Sequence, residues 1–323
     1  MQHSNCLVCR PPTTSFSERP IGTVATLAKM LRLPLAELES LAATANKRYR
    51  IGKQITKPNG DIRTCYDALG VLKSTQARIQ CMILNQVDYP PYLQGSIRDP
   101  QNPRGQRPNA ALHTRKRTII TEDLKSYFPS VGEQIVFGIW HRFFRFPPPV
   151  ASLLTKLTTK DGELPQGTKT SPLLSNLVFW DVEWKLVEKL HQQGITYSRL
   201  IDDITCSSKT DFTTKQTTEV IKALHAMAAK KGLKLNDGKQ TIARAGERHL
   251  TTKLVVNVKT SLPLEQRAAI RAAVRRAQAA PSNVRATERF QKGVRKVSGR
   301  IGYLKQHHPK EAEALRSKLR RET

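Results

Sequence analysis

Three acidic residues carry most of the chemical potential of this chain. Asp123 ends the run TIITED, and Asp202 and Asp203 stand side by side in YSRLIDDITCSS, between Ile201 and Ile204. Neighbouring side chains of a strand point to opposite faces, so one of two adjacent acids should meet a packed layer, where a charge is costly. Adjacent carboxylates also repel, which raises a pKa unless a cation lies between them. A tight turn relieves the burial, and a metal ion relieves the repulsion. An exposed Asp-Asp turn between two strands fits the same residues with no chemistry attached. If the strands carrying Asp123 and the pair are neighbours, three carboxylates can bind two divalent cations. Hard ions such as Mg²⁺ take oxygen ligands and fill the remaining positions with water and phosphate oxygens. Two ions about 3.5–4 Å apart suit in-line displacement at phosphorus, one activating the attacking oxygen and the other steadying the leaving oxygen.

The elements around these acids can be read from pattern. Residues 21–46 form two short amphipathic helices broken near Pro34, and 47–66 form a hairpin with its turn at Pro58-Asn59-Gly60-Asp61. Residues 69–88 read as a helix with Leu72, Gln76, Ile79, Met82 and Ile83 along one side. A loop rich in Pro, Gly and Arg precedes a strand over 118–128. Ser130 with Glu133 fits a capping box that opens a helix running to Pro147. Ser171-Pro172 opens a helical pattern that continues to Gly194, and the 197–208 segment reads as a hairpin. A helix near 213–231 ends at Gly232, and HLTTKLVVNV reads as a strand. From Pro263 the chain turns Ala- and Arg-rich, with Arg267, Arg271 and Arg275 in one basic stripe suited to phosphate.

The 323 residues include 54 Lys and Arg against 26 Asp and Glu, a formal charge of +28. That excess predicts a polyanionic partner, nucleic acid before an anionic membrane. No apolar run approaches the roughly 18–20 residues that span a bilayer, and the N-terminus lacks the apolar core of a signal peptide. A cytoplasmic protein with no membrane association is expected. The five cysteines are scattered, which suits a reducing compartment. Cys6 and Cys9 form a lone CxxC with no second ligand pair, read as an inert end rather than a zinc site.

In order along the chain, EDLKSYFPS, LPQGTKTSPLLSNLVF and YSRLIDDITCSS resemble the palm motifs of reverse transcriptases, and the likeness extends from about residue 47 to 305. Leu164, Pro165, Gln166, Gly167, Ser171 and Pro172 match the LPQGxxxSP block residue for residue. Within that superfamily the chain resembles the retron type, through NAALH at 109–113, TTKLVVN at 251–257 and GRIGYLKQHHP near the C-terminus. It departs from the family in Leu200-Ile201, where Tyr-Ala usually precedes the acidic pair, and in Thr251-Thr252-Lys253, where a glycine is lost. The larger Ile201 is expected to crowd the place beside the primer end.

The resemblance implies an α+β right-hand polymerase with fingers, an antiparallel-sheet palm and a small helical thumb. Its parts would be an N-terminal extension (1–46), fingers (47–117), palm (118–262, with part of the fingers inserted at about 131–165) and basic thumb (263–323). Asp123 and Asp202 would bridge two Mg²⁺ ions, with Asp203 as the outer carboxylate and the Leu124 carbonyl as an added ligand. Phe128 looks like the residue that excludes a ribose 2′-OH. Gln166 and Gly167 resemble the dNTP-binding pair, Lys57 and Arg63 look like triphosphate contacts, and Lys239 resembles the lysine that protonates pyrophosphate. Asn109, His113, Arg115, Lys253, Arg295 and Arg300 join the Arg267–Arg275 stripe as expected nucleic-acid contacts. The implied partners are dNTPs, a structured RNA serving as template and primer, its DNA product, and an effector protein in anti-phage defence. Priming would start from a guanosine 2′-OH. Two readings compete: a catalytically weak polymerase-fold scaffold that binds RNA, and a reverse transcriptase of the group II intron or CRISPR-associated type. The charge itself makes a prediction. Nucleic-acid binding followed by fluorescence anisotropy should weaken steeply with salt, with a log–log slope of about −0.9 per phosphate neutralised.

Overall fold

The computed structural model describes residues 13–56 and 60–320. Cys6, Cys9, Lys57 and the turn residues Pro58 and Asn59 lie outside the described residues. Helices α1 (Val24–Met30) and α2 (Leu35–Thr44) meet at Pro34, as their apolar spacing predicts, and the Thr23 hydroxyl caps α1 by accepting from the Thr26 N–H at 3.1 Å. Strands β1 (Tyr49–Thr56) and β2 (Ile62–Ala68) form the expected antiparallel hairpin, with an irregularity between Ile51 and Lys53. Helix α3 (Gly70–Met82) buries Leu72, Gln76 and Ile79, whereas Met82 is exposed.

Helix α4 (Gln106–Ala111) leads into β3 (Thr118–Asp123), followed by α5 (Tyr127–Ser130), α6 (Glu133–Gly138), a π-type turn over Ile139–Phe143, and α7 (Pro148–Thr158). Then come α8 (Ser171–Leu177), α9 (Glu183–Gln192), β4 (Ile195–Leu200), β5 (Asp203–Ser208) and α10 (Thr214–Ala229). The chain continues through β6 (Thr241–Ala243), β7 (Leu250–Thr251), β8 (Leu254–Val255), α11 (Leu264–Gln278), α12 (Ser282–Arg285), α13 (Glu288–Lys305) and α14 (Pro309–Arg320). Strands β4-β5-β3-β6, in that order, make one antiparallel sheet, and this arrangement with its surrounding helices is α+β. No described helix is long and apolar enough to cross a membrane.

Four expectations about the elements are corrected. The strand expected to reach 128 stops at Asp123, because Ser126 takes a left-handed φ of 46° and the chain coils into α5. The capping box at Ser130 does not form: Ser130 ends α5, Gly132 precedes α6, and the Glu133 N–H donates to the Gly162 carbonyl at 2.8 Å. The helix expected over 171–194 is two helices, and the break places Glu183 at the start of α9. HLTTKLVVNV folds back on itself as β7 and β8, with Thr252 and Lys253 turning at φ 47° and 66°.

The apolar residues gather into two cores. The larger joins the N-terminal helices, α3, the inserted helices, α8–α10 and one face of the sheet. The smaller joins α11, α13 and α14 with Leu254, Val256 and Leu262, and takes in Ala110 and Ile119. This second core therefore reaches back before residue 263 and takes in the β7–β8 hairpin.

A buried ion pair links the larger core to the acidic turn. Arg199 on β4 is fully buried, and its Nε and Nη2 donate to the two Glu183 oxygens at 2.6 and 2.8 Å. Nη2 also donates to the Asn176 carbonyl at 3.0 Å and Nη1 to the Ile201 carbonyl at 2.9 Å. The Tyr197 hydroxyl donates to Glu183 at 2.7 Å. Arg199→Met leaves the Glu183 charge buried without its partner and should cost about 3–5 kcal/mol of stability. Arg199→Met combined with Glu183→Leu and Tyr197→Phe should recover much of that loss, measured by urea denaturation.

Candidate active site

The sheet brings the acids together by register. Asp123 at the end of β3 lies opposite Asp203 at the start of β5. Asp202 occupies the two-residue turn between β4 and β5, and its carbonyl accepts from the Leu124 N–H at 3.0 Å. The other turn residue, Ile201, has φ 62°, which is strained for a β-branched side chain. A cushion holds it there. A Cβ at position 95 would lie 2.5 Å from the Ile201 Cγ1 and Cδ1, so only glycine admits that side chain. The bulk expected to crowd the site is thus taken up by Gly95 and the core behind it.

Electrostatics at the turn are adverse by design of the donor set. Asp202 is pushed above the ordinary carboxylate range, chiefly by burial and then by Asp123. Asp203 is pushed up to about 6, by burial first and then by Asp202 and Asp123. Lys239, in a short turn over Asp237–Lys239, donates to Asp123 Oδ2 at 2.8 Å, and that bond raises its own pKa. Among the described residues no three His, Cys, Asp or Glu side chains form a preformed metal cage. The three carboxylates nonetheless fit divalent cations by donor chemistry and by mutual repulsion, and Lys239 supplies one positive charge to the same cluster.

The β1–β2 hairpin is bonded to the LPQG loop. The Tyr66 N–H donates to the Gln166 carbonyl at 2.7 Å, and Arg63 Nε donates to Gln166 Oε1 at 2.6 Å. Gly167 has φ 98°, and a Cβ there would meet the Tyr66 carbonyl at 2.8 Å. Close approach of a strand therefore demands this glycine within the chain itself. The Arg63 charge acts against the rise that burial and Asp123 impose on Asp202. Phe128 on α5 lies in the larger core with 8% of its surface exposed.

Residues 55–278 match the family described as reverse transcriptase (RNA-dependent DNA polymerase). The chain belongs to the reverse transcriptase family. The curated proteins it is similar to include several retron reverse transcriptases. The Retron Se72 reverse transcriptase of Salmonella heidelberg (strain 579083-10) is 35% identical over 227 residues, covering 70% of this chain and 59% of the relative. The Retron Ec48 reverse transcriptase of Escherichia coli is 26% identical, covering 94% of this chain and 77% of that one. The Retron Ec86 reverse transcriptase of Escherichia coli is 28% identical, covering 72% and 70%. A telomerase structure from Candida albicans, in complex with a fragment of telomeric RNA, aligns at a TM-score of 0.38 and 8% identity over 62% of this chain and 40% of that one.

The nucleic-acid contacts expected of a reverse transcriptase divide into three sets. Arg115, Lys253, Arg275, Arg295 and Arg300 are exposed. Asn109 and His113 are fully buried, which corrects their expected contact with nucleic acid. His113 sits between the hydroxyls of Ser207 (Nδ1, 2.7 Å) and Ser198 (Nε2, 2.7 Å), and burial lowers its pKa to about 3. It is a neutral brace between α4 and strands β4 and β5. Arg267 and Arg271 also depart from the free stripe, because both ion-pair with Glu311 on α14, at 2.7 and 2.6 Å.

Sequence reading missed Arg199, Glu183 and Gly95. A signal existed for Arg199: it shares parity with the apolar Tyr197 and Ile201, so an inward charge was implied. Glu183 and Gly95 carry no local sign of their role.

An acid whose folded pKa is raised binds its proton more tightly in the native state, so its contribution to stability is lost as pH rises from about 4 to about 6. Asp203→Asn should therefore stabilise the fold by about 2 kcal/mol above pH 6 and change little below pH 4, read as Tm against pH.

Proposed function

We propose that this chain is an RNA-directed DNA polymerase that copies a cognate structured RNA into single-stranded DNA. The reading rests above all on one observation. Asp123 and Asp203 face each other across β3 and β5, with Asp202 in the adjoining turn. Asp123, Asp202, Asp203 and the Leu124 carbonyl would hold two Mg²⁺ ions, whose chemistry is to activate the attacking hydroxyl and neutralise the departing pyrophosphate.

The chain's own groups do the rest. Arg63, bonded to Gln166, offers a guanidinium to the triphosphate, and Lys57 is proposed to act beside it. Gly167 keeps the floor of that site low, and the ring of Phe128 limits room at the sugar. Lys239 holds a proton on Nζ next to Asp123, the position from which a donor to the leaving phosphate is needed.

Retron relatives support a finer reading: priming from a guanosine 2′-OH of the same RNA, a branched RNA–DNA product, and service with an effector protein in anti-phage defence. Sequencing nucleic acid that co-purifies with the protein tests this reading, with a 2′–5′ branched RNA–DNA as the expected product. For the reaction itself, Asp202→Asn should abolish primer extension while RNA binding persists. Extension by this variant at near wild-type rate would reject the metal assignment.

A further inference from the structure

Strand β6 runs beside β3 with Thr241 opposite Thr121, and the paired register stops there. Carried two residues further, the same register sets Gln240 opposite Glu122 and Lys239 opposite Asp123. The side chains take up that register although the backbone has left it for the short turn over Asp237–Lys239. On the site face the Thr121 and Thr241 hydroxyls bond at 2.5 Å, and Lys239 Nζ donates to Asp123 Oδ2 at 2.8 Å. On the opposite face Gln240 Nε2 donates to Glu122 Oε1 at 2.5 Å. Alternation along a strand allows this, because the neighbours Glu122 and Asp123 point to opposite faces. The turn therefore straddles the end of β3 and grips it from both sides.

Backbone bonds alone leave Lys239 room to swing. The Asn236 N–H donates to the Asp123 carbonyl at 2.8 Å and anchors the far end of the turn. The Lys239 and Gln240 N–H groups donate back into the turn, to the carbonyls of Asn236 at 2.9 Å and Asp237 at 3.4 Å. Asp237 Oδ1 lies 3.8 Å from His225 Nε2 on α10, with both side chains open to water. Gln240 is thus the short tie between turn and strand on the side away from the acids.

Glu122 is a costly residue for a merely structural tie. It is 2% exposed, on the face that Ile120, Ile204 and Cys206 give to the larger core. Its Oε2 is buried and meets no hydrogen-bond donor among the described residues. A carboxyl with one oxygen unanswered costs stability that a leucine at the same place would not. Breaches of this kind gather at functional sites.

Resting on the reading of Lys239 as proton donor, we propose that Glu122 and Gln240 are positioning residues whose bond fixes the Lys239 ammonium beside Asp123 for transfer of its proton to the departing pyrophosphate. In that step the attacking hydroxyl oxygen bonds to the α-phosphorus and gives up its proton to solvent. The bond from that phosphorus to the α–β bridging oxygen breaks, the oxygen keeps the electron pair, and Nζ supplies its proton. A donor must lie within hydrogen-bond reach at that moment, and a misplacement of about 1 Å is heavily penalised in rate. The polar tie therefore serves the rate rather than the fold.

The test uses the full chain on an RNA template with a DNA primer, in single-turnover extension over a range of dNTP concentrations. Gln240→Leu should lower the maximal rate about tenfold and leave the half-saturating dNTP concentration unchanged, because the tie lies on the face away from the acids. Glu122→Gln keeps an acceptor for Gln240 and should recover most of the rate that Glu122→Leu loses. Glu122→Leu combined with Gln240→Leu strands no buried polar group, so its Tm should match or exceed wild type while its rate stays about tenfold down. A rate that returns with Tm would reduce the tie to a structural bond and overturn the proposal. Adding Gln240→Leu to Lys239→Met should slow extension no further than Lys239→Met alone, and an additive loss would overturn the route through Lys239. Acylation of Lys239 by an amine-reactive ester, followed by mass spectrometry, reads the ammonium without catalysis. Gln240→Leu should speed that labelling several-fold, and wild-type labelling in this variant would overturn the hold on Lys239. Extension by Lys239→Met at wild-type rate would sink the donor reading, while the labelling would still decide whether Gln240 holds the lysine.

Discussion

A charge buried away from water must be answered by polar partners, and the Arg199 side chain is answered by three separate parts of the chain. Glu183 supplies both carboxylate oxygens, Asn176 supplies the carbonyl of a helix end, and Ile201 supplies the carbonyl of the acidic turn. The backbone of the same residue pairs with Tyr92 and Gln94, which cover the open edge of β4. Such a pair adds little net stability, because desolvation offsets much of its attraction. Its value is geometric. Losing Glu183 strands a full charge and losing a carbonyl leaves a buried N–H unpaired, so helix, strand and turn are held to one arrangement.

That rigidity matters because the turn itself is under stress. Three carboxylates sit within mutual reach, two of them pushed toward protonation by burial and by one another. Ile201 is held in a backbone region unfavourable to its type. A loose scaffold would relax both by splaying the turn from β3. Bonds from Leu124 to the Asp202 carbonyl, from Asn236 to the Asp123 carbonyl and from Lys239 to the Asp123 carboxylate oppose that escape. Unfavourable electrostatics held in place by a rigid frame mark a candidate functional site.

Much of this was legible in the sequence where the signal is local. Pro34 marked the helix break, the alternating YSRL and ITCSS runs marked the two strands of the acidic hairpin, and the LPQG block marked a loop of special shape. The failures share a cause: long-range partners carry no sequence-local sign. Nothing in HTRKR says that His113 lies between two serines, and nothing in the Arg267–Arg275 spacing shows Glu311 on a later helix. The single helix expected over 171–194 breaks between Leu177 and Glu183, and the Arg199 that Glu183 meets there comes from β4, out of reach of any local pattern. Likewise Gly167 is explained by the Tyr66 carbonyl, which no reading of the loop alone could supply.

The fit between Gly95 and Ile201 bears on how such a chain can change over time. The two positions are 106 residues apart in sequence and compete for one small volume. Alanine at 201 leaves that volume empty, whereas any side chain at 95 collides with isoleucine. A Cβ at 95 would also meet the backbone nitrogen of residue 201 at 2.8 Å, so glycine is held at 95 whatever side chain stands at 201. Change at this hairpin is open at one of the two positions and closed at the other.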